Sequence, residues 1–536
     1  MGRVLRGDWR ALTPVVDADP GDLPRRPSAL LLLAERISRH SGLYALTSAA
    51  TIAIGLLSIG VLTRYLKPSE FGDLAVLTVT ASLLTIVYNA GSLQGTFSWA
   101  FGAAADDEIG VSDEESGTGA SDRRRALMSG VAVTVAIGTV AAGVIAVFAA
   151  PIAGLLLGDS DQSELVVWTA VAAGATSCWR LLANVLRLEG RPFAYLIGTC
   201  SHGGGALAAS WILLARGGGL EAAIAGQGVG TAASAVFVGL LNRHNLRFAT
   251  SRHDVREIYA RGMGLVPVVF SFYTIQLADV LFVARGTSSA EAGLYRVASR
   301  VGALVSYWTS AFNMAWGPMQ RDPLHVAADR ANGAPQTAAT IALFFVLLTV
   351  WVIIGTGLFA EQLVRIASGA YDDAASVIPL TALAFAFHGT YVVAYRTAEL
   401  PRKRIWFVRF SVAAALTFLI LAYPLVLALG MHGAPLAAIT GWTVGITGIL
   451  VLAQRGPDRV PYAWKRMTGC ILIGGACLAA GRAFAPDEWW PRSLVELGAW
   501  CSYPFLLALF RVVPPRSLLV LLRIAARLVP GPSRRI

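Results

Sequence analysis

Charge is what this sequence has least of. Only 14% of its 536 residues are charged against 55% hydrophobic, and the mean hydropathy is +0.60. A soluble globular chain carries about 25% charged residues, so a water-exposed globular surface is excluded and lipid must be the solvent for most of the chain. Cysteine is scarce too: the five (Cys178, Cys200, Cys470, Cys477 and Cys501) fall in apolar runs, without the paired loop spacing of a disulfide or zinc framework. Cys470 and Cys477 share a helix face at a spacing that suits packing. No Asp, Glu and His cluster at ligand spacing is present, nor any Walker loop, HExxH or GxSxG. The glycine tract Gly226-Gln227-Gly228-Val229-Gly230 sits inside an apolar run, follows no strand, and reads as helix packing. The chain is therefore expected not to be an enzyme and to hold no cofactor and no metal.

Apolar length is what the sequence has in abundance. Crossing a hydrocarbon core takes about 20 apolar residues. Fourteen runs qualify, near 42–62, 73–97, 126–149, 164–186, 193–215, 220–240, 260–284, 291–315, 334–358, 374–395, 405–428, 433–453, 463–484 and 493–513. The expected fold is an all-α integral membrane protein of about 14 transmembrane helices. The net charge of +11 follows from where the basic residues lie: of 44 Lys and Arg, 33 fall in the two tails and even-numbered loops and 7 in odd-numbered loops. That asymmetry follows the positive-inside rule and places both termini in the cytoplasm. It explains the basic balance without nucleic acid, which is not expected as a partner.

A repeat organises the spans. Arg64, Glu70, Gly72 and Leu74 recur as Arg285, Glu291, Gly293 and Tyr295 at an offset of 221. Ala222-Ala223-Ile224-Ala225-Gly226 with Gly230 recurs as Ala437-Ala438-Ile439-Thr440-Gly441 with Gly445 at 215. Two matches in one order imply a duplicated six-span unit in parallel orientation, as in many secondary transporters, with the binding site between the halves near the midplane. The expected organisation is a cytoplasmic tail at 1–41, a six-helix lobe at 42–241 and a basic loop at 242–259. A second lobe spans 260–454, spans 13 and 14 occupy 455–513, and a basic cytoplasmic tail occupies 514–536. The tail is polar and proline-bearing, with Ser28 to Arg39 suited to an interfacial helix, and lacks the pattern of a signal peptide. Gly102 to Arg125 reads as a solvated linker, with a partner-binding acidic patch as the alternative. Gly91/Gly95, Gly226/Gly230 and Gly441/Gly445 have GxxxG spacing, expected to bring helices together inside each lobe.

Chemistry is then left to polar groups inside spans, which are costly in lipid and functional by default. Arg296 and Arg300 share one face of span 8. Arg300 lies about nine residues, some 13 Å, from the outer end. Asp279 on span 7 lies at the depth of Arg296, so an Asp279–Arg296 pair is expected, leaving Arg300 as the freer cation. A guanidinium facing a water-filled cavity suits pyrophosphate, because its fork of donors binds two oxygens at once; the alternative is snorkelling or binding to helix carbonyls. Arg180 on span 4 either lines the cavity or snorkels to lipid phosphates, and Arg409 is topological. His202 and His388 lie near the middle of spans 5 and 10, where an imidazole carries a coupling proton or fills a core. Asn89, Gln94, Gln276 and Asn313 are candidate sugar contacts, or hold helices together.

The stretch Arg64-Tyr65-Leu66-Lys67-Pro68-Ser69-Glu70-Phe71-Gly72 after the first span resembles the opening signature of polysaccharide transport proteins. These include O-antigen and lipid-linked oligosaccharide flippases of the multidrug/oligosaccharidyl-lipid/polysaccharide flippase superfamily. Asp279 through Gly293-Leu294-Tyr295 to Ala298 and Arg300 is similar to that family's segment at spans 7 and 8. Lys67 stands where the family has glycine, and Val280 follows Asp279 where it has a basic residue. The resemblance implies two six-helix lobes around a cationic cavity that move an undecaprenyl-pyrophosphate-linked glycan outward across the bacterial cytoplasmic membrane by alternating access. It implies membrane lipids and the lipid-linked glycan as partners, beside a glycan polymerase or glycosyltransferases of the cell envelope. The alternatives are a multidrug/organic-cation antiporter of the same superfamily, a membrane-embedded glycan polymerase or ligase, and a non-transporting scaffold.

Overall fold

The computed structural model describes residues 42–89, 91–101, 120–243, 250–316, 334–397, 403–455, 459–486 and 488–512. The tails, the helix expected at Ser28 to Arg39 and the acidic part of the 102–125 linker lie outside these residues. Among the described residues every regular element is a helix. The first half of the chain contains α1 (Gly42–Tyr65), α2 (Pro68–Asn89), α3 (Ser92–Phe101), α4 (Ala120–Val147), the short α5 (Ala149–Leu157), α6 (Ser163–Leu188), α7 (Pro192–Leu214) and α8 (Gly219–Leu241). The second half opens with α9 (Arg252–Gly262), α10 (Val266–Leu277), α11 (Asp279–Gly286), α12 (Ser289–Gly302) and α13 (Leu304–Trp316). It continues with α14 (Ala334–Leu358), the short α15 (Ala360–Val364), α16 (Ile378–Thr397), α17 (Lys403–Leu429), α18 (Gly433–Gln454), α19 (Trp464–Ala483) and α20 (Trp489–Leu509).

Three rods are broken, and the breaks have local causes. The second span is α2 followed by α3, interrupted where Gly91 takes φ +84°, a left-handed conformation that a β-carbon resists. The seventh is α9, α10 and α11 in succession, and the eighth is α12 and α13. The seventh rod begins at Arg252, well before the apolar run expected from residue 260. Its start is fixed by a capping box: the Ser251 hydroxyl accepts from the Asp254 amide at 3.2 Å, and the Asp254 carboxylate accepts from the Ser251 amide at 3.0 Å. Joining the broken segments and setting aside the short α5 and α15 gives 14 rods among the described residues, the architecture of a multi-pass membrane protein. Nine stretches among the described residues meet length and hydropathy alone, one of them, 405–454, being a helical hairpin.

Helices α1 to α8 pack into one bundle and α10 to α18 into a second, with α19 and α20 laid against α14, while α9, which begins the second bundle's first rod, reaches across to pack on α3 and α4. Small residues set the closest approaches within each bundle. A β-carbon added at Gly226 or Gly230 of α8 would strike the backbone of α7 at Ser210 or Gly205, and one at Gly441 would meet the Ala414 carbonyl oxygen at 2.7 Å. The Gly91/Gly95 pair, expected to serve the first bundle internally, instead faces Gly262 and Ile258 of α9, in the second bundle's first rod. The last two spans are fastened by paired indoles: Trp351 and Trp500 stack at 4.7 Å, and each N–H donates to the other's backbone carbonyl, at 3.2 and 3.0 Å.

Candidate functional site

The two bundles meet along a seam that is closed at both ends of the spans. One end, here the basic end, holds Arg125, Arg187, Arg191, Arg243 and Arg252; the other, the far end, holds the starts of α2 and α12. At the far end the seam is made by the repeated motif itself. A β-carbon at Gly72 would run into the Ser289 carbonyl oxygen, and one at Gly293 into the Pro68 carbonyl oxygen. Pro68 and Ser289 are repeat mates, as are Gly72 and Gly293, so the contact has pseudo-twofold symmetry. Glu70 and Glu291 sit at the same capping position in both copies. The Glu70 carboxylate accepts from the Lys67 amide at 2.9 Å, and the Glu291 amide donates to the Ser288 hydroxyl at 3.2 Å. The motif thus starts a helix and, one turn later, removes the side chain where the partner helix must approach. Two further bonds close this end: the Ser368 amide donates to Thr63 Oγ1 at 3.3 Å, and the Tyr371 hydroxyl to the Leu66 carbonyl at 3.0 Å.

The basic end is sealed by α3 and α4 against α9. Here the β-carbon positions of Gly95 and Gly262 abut the Ile258 and Gly91 carbonyls. Beside them Arg125 bridges to Asp254 at 2.9 Å and donates to the Ser251 hydroxyl at 3.2 Å, while Ser129 donates to the same carboxylate at 3.3 Å. Asp254 is therefore both the cap of α9 and the anion of an inter-bundle ion pair.

Between the two ends lie the polar groups of the spans. Arg296, 8% exposed, and the half-buried Arg300 lie on α12. Arg300 extends across the seam, its Nη1 within 4.0 Å of the β-carbon position of Gly55 on α1. Asp279, 5% exposed, accepts a hydrogen bond from the Tyr295 hydroxyl at 2.5 Å and from the Val280 amide at 2.8 Å. Among the described residues the expected Asp279–Arg296 ion pair is not formed, and the Tyr295 hydroxyl takes the carboxylate instead. The reason is geometric, since Tyr295 precedes Arg296 on α12 and its rigid ring delivers the hydroxyl where Asp279 sits.

Arg180 on α6 also crosses the seam. It donates to the Tyr273 hydroxyl of α10 at 2.5 Å and lies 5.5 Å from that ring's centroid. His202 stacks on Trp179 at 3.9 Å in the first bundle. His388 lies in the second bundle between Phe272 and Trp442, at 5.3 and 4.9 Å. A cavity of about 20 Å³, room for one water, joins Gln276, Asp279, Tyr295, Thr381 and His388. Asn89 and Asn313 donate to the carbonyls one turn back, Thr85 and Thr309, at 2.7 and 2.9 Å. Gln94 is half-buried on α3. The arrangement thus brings Arg296, Arg300, Asp279 and Gln276 to the second bundle's side of the seam, and leaves His202 apart from His388. Sequence reasoning missed Tyr273, Tyr295 and the Arg125–Asp254 pair; only Tyr295, through its place in the repeat, left a signal there.

No family model and no curated protein matches the sequence. Solved structures do. The lipid II flippase MurJ in an inward closed conformation is similar with a TM-score of 0.64 and 13% identity, over 88% of this chain and 100% of that one. An inward-facing multidrug resistance MATE family transporter of the MOP superfamily is similar with a TM-score of 0.53 and 14% identity, over 85% of this chain and 99% of that one. The chain has the fold of these two structures. A Vibrio cholerae MATE transporter, VcmN, shares it at a TM-score of 0.54 and 13% identity, over 80% of this chain and 98% of that one. At such identities the likeness carries the architecture, and what the residues do is argued from this chain's own geometry.

Proposed function

We propose that the chain is a flippase that carries a lipid-linked, undecaprenyl-pyrophosphate oligosaccharide or polysaccharide precursor across the bacterial cytoplasmic membrane by alternating access. Its basic end and both termini would lie in the cytoplasm. The observation that carries this reading is the sign of the charge at the seam. Arg296 and Arg300 stand together on α12 with Arg300 reaching toward α1, Arg180 reaches in from α6, and the carboxylate Asp279 is taken up by Tyr295. Guanidiniums of this kind bind a pyrophosphate through paired N–H donors, while the lipid tail remains in the bilayer. Likeness to a lipid II flippase supports the same class of cargo.

Alternating access follows from the two seals. With the far end held by Gly72, Ser289, Gly293 and Pro68, breaking the α3–α9 contact and the Arg125–Asp254 pair admits the headgroup from the cytoplasm. Re-forming it while the far-end glycine contact parts releases the headgroup outside. The water-sized cavity at Asp279, Gln276 and His388 is where a coupling proton or sodium ion would act on the second bundle.

Similarity to MATE transporters supports the alternative of an organic-cation antiporter. A cation carrier draws its cargo with carboxylates facing the seam, and the seam's charges here are mainly guanidiniums. The deciding experiment is depletion of the protein in its host followed by lipid extraction. Accumulation of an undecaprenyl-linked oligosaccharide, reversed by wild type but not by Arg300→Ala, is the expected result. An unchanged lipid pool and surface glycan, with new sensitivity to cationic drugs, would refute it in favour of the antiporter.

A further inference from the structure

A wide cavity adjoins the far end of the seam, apart from the arginines within the spans. It opens at the far end of the second bundle, has a volume of about 920 Å³, and is walled by the ends of α12, α14, α19 and α20 with the loop over 360–376 and the α17–α18 turn. Four carboxylates line it, Glu291, Glu361, Asp372 and Asp373, against three guanidiniums, Arg365, Arg482 and Arg492. The guanidiniums are held in place. Arg492 donates to Glu361 at 2.5 Å and to Glu496 at 3.0 Å, and Glu496, only 1% exposed, also accepts from Gln362. Arg482 donates to the Gly357 carbonyl at 3.2 Å, and Arg365 lies 5.6 Å from the Trp489 ring. Each arginine carries five N–H donors, more than these bonds consume.

This chemistry selects its ligand. Among the described residues no three His, Cys, Asp or Glu side chains converge closely enough to hold a metal ion. Four carboxylates oppose a phosphate, three guanidiniums oppose a cation, and so many charged groups oppose an apolar drug. What nearly balanced, prearranged donors and acceptors suit is a neutral ligand dense in hydroxyls. The loop forming part of the wall also closes the far end of the seam, since Asp372 and Asp373 follow Tyr371, which bonds Leu66 of the other bundle and packs edge-on against Phe71 at 5.6 Å.

We propose that this bowl binds the glycan of the lipid-linked substrate on the outer face, beside the gate through which it emerges. The inference rests on the flippase reading and on its orientation. Occupancy of the bowl engages the loop that latches the far end, so the glycan is held where it can act on the gate.

The test uses the full-length protein purified in detergent. The probe is the water-soluble glycan released by mild acid from the host's polyprenyl-linked lipids, and binding is followed by calorimetry. Wild type is expected to bind, and the exposed double change Asp372→Asn with Asp373→Asn, or Arg365→Gln alone, to bind at least about tenfold more weakly at an unchanged melting temperature. Absence of binding, or binding that ignores these changes, overturns the proposal. So does an equal loss in Arg300→Ala, which would put the glycan at the seam, or binding of glycerophosphoethanolamine in its place. Lipid accumulation on depletion is read separately: accumulation without glycan binding removes the bowl and leaves the flippase, whereas no accumulation removes the flippase reading itself.

Discussion

Replacing Gly72 by alanine should open the far end without unfolding the protein. The added β-carbon falls on the Ser289 carbonyl oxygen, and an amide nitrogen, that of Gly293, lies 3.1 Å away. Backbone cannot swing aside as a flexible side chain can, so α2 and α12 must part. Overpacking of this kind costs about 1–3 kcal/mol, and here the cost falls only on the state in which the helices touch. The closed-to-open ratio should therefore fall by about 5- to 150-fold. Helix propensity favours alanine by up to about 1 kcal/mol in both states and cancels. Spin labels at Ser69→Cys and Arg285→Cys, both exposed and on opposite bundles, read the separation once the five native cysteines are replaced. Gly143→Ala, with nothing within 4 Å, is the control. Gly293→Ala should act alike, and the double variant should add little, because the first change has already separated the helices that the second would push apart. Multiplying effects, or a distance distribution in Gly72→Ala identical to that of Gly143→Ala, would refute the reasoning.

Three further outcomes are expected. Arg125→Ala leaves the Asp254 carboxylate, 1% exposed, to Ser129 and the Ser251 cap; with Arg125 itself half exposed, the loss should be about 1 kcal/mol, seen as wider label separation at the basic end, with Arg125→Lys recovering part of it. Tyr273→Phe breaks the bond that holds Arg180 across the seam and should slow transport by about tenfold, Arg180→Gln removes the guanidinium as well and should slow it more, and the double variant should be no slower than Arg180→Gln; additive losses would show that the two residues act independently. Arg492→Ala should lower thermal stability, because the buried Glu496 loses its cation at a cost of about 3 kcal/mol, while replacing both by methionine should recover most of the loss.

How much of this was legible in the sequence depended on whether the signal ran along the chain or across it. Span count, basic-loop asymmetry and the repeat run along the chain, and the rods follow them closely, as with α14, which begins and ends at the expected residues 334 and 358. The start of the seventh rod was misplaced by eight residues because hydropathy is blind to caps: Ser251 and Asp254 are polar, yet they begin a helix. Contacts across helices depend on rotation about each axis, which spacing alone leaves open. Asp279 and Arg296 lie at matching depth, but Tyr295 rather than Arg296 occupies the facing position. In the same way GxxxG spacing announced close approach at Gly91/Gly95 without saying to which bundle.

The repeat also bears on how the two ends differ. At the far end both sides of the contact are repeat mates, so the seam is one symmetrical joint made from a motif used twice. At the basic end Gly91 and Gly95 meet Gly262, which is not their mate at the 221-residue offset. The mate of this α3–α9 contact would set α13 against residues 31–41, which lie outside the described residues. Among the described residues, therefore, the far-end joint is made twice from one motif, and the basic-end contact pairs segments that are not repeat mates. The Arg125–Asp254 pair lies beside that contact, so on the flippase reading both must break together before the basic end can admit a headgroup, and the tail of a lipid-linked cargo can stay in the bilayer while its charged end enters there.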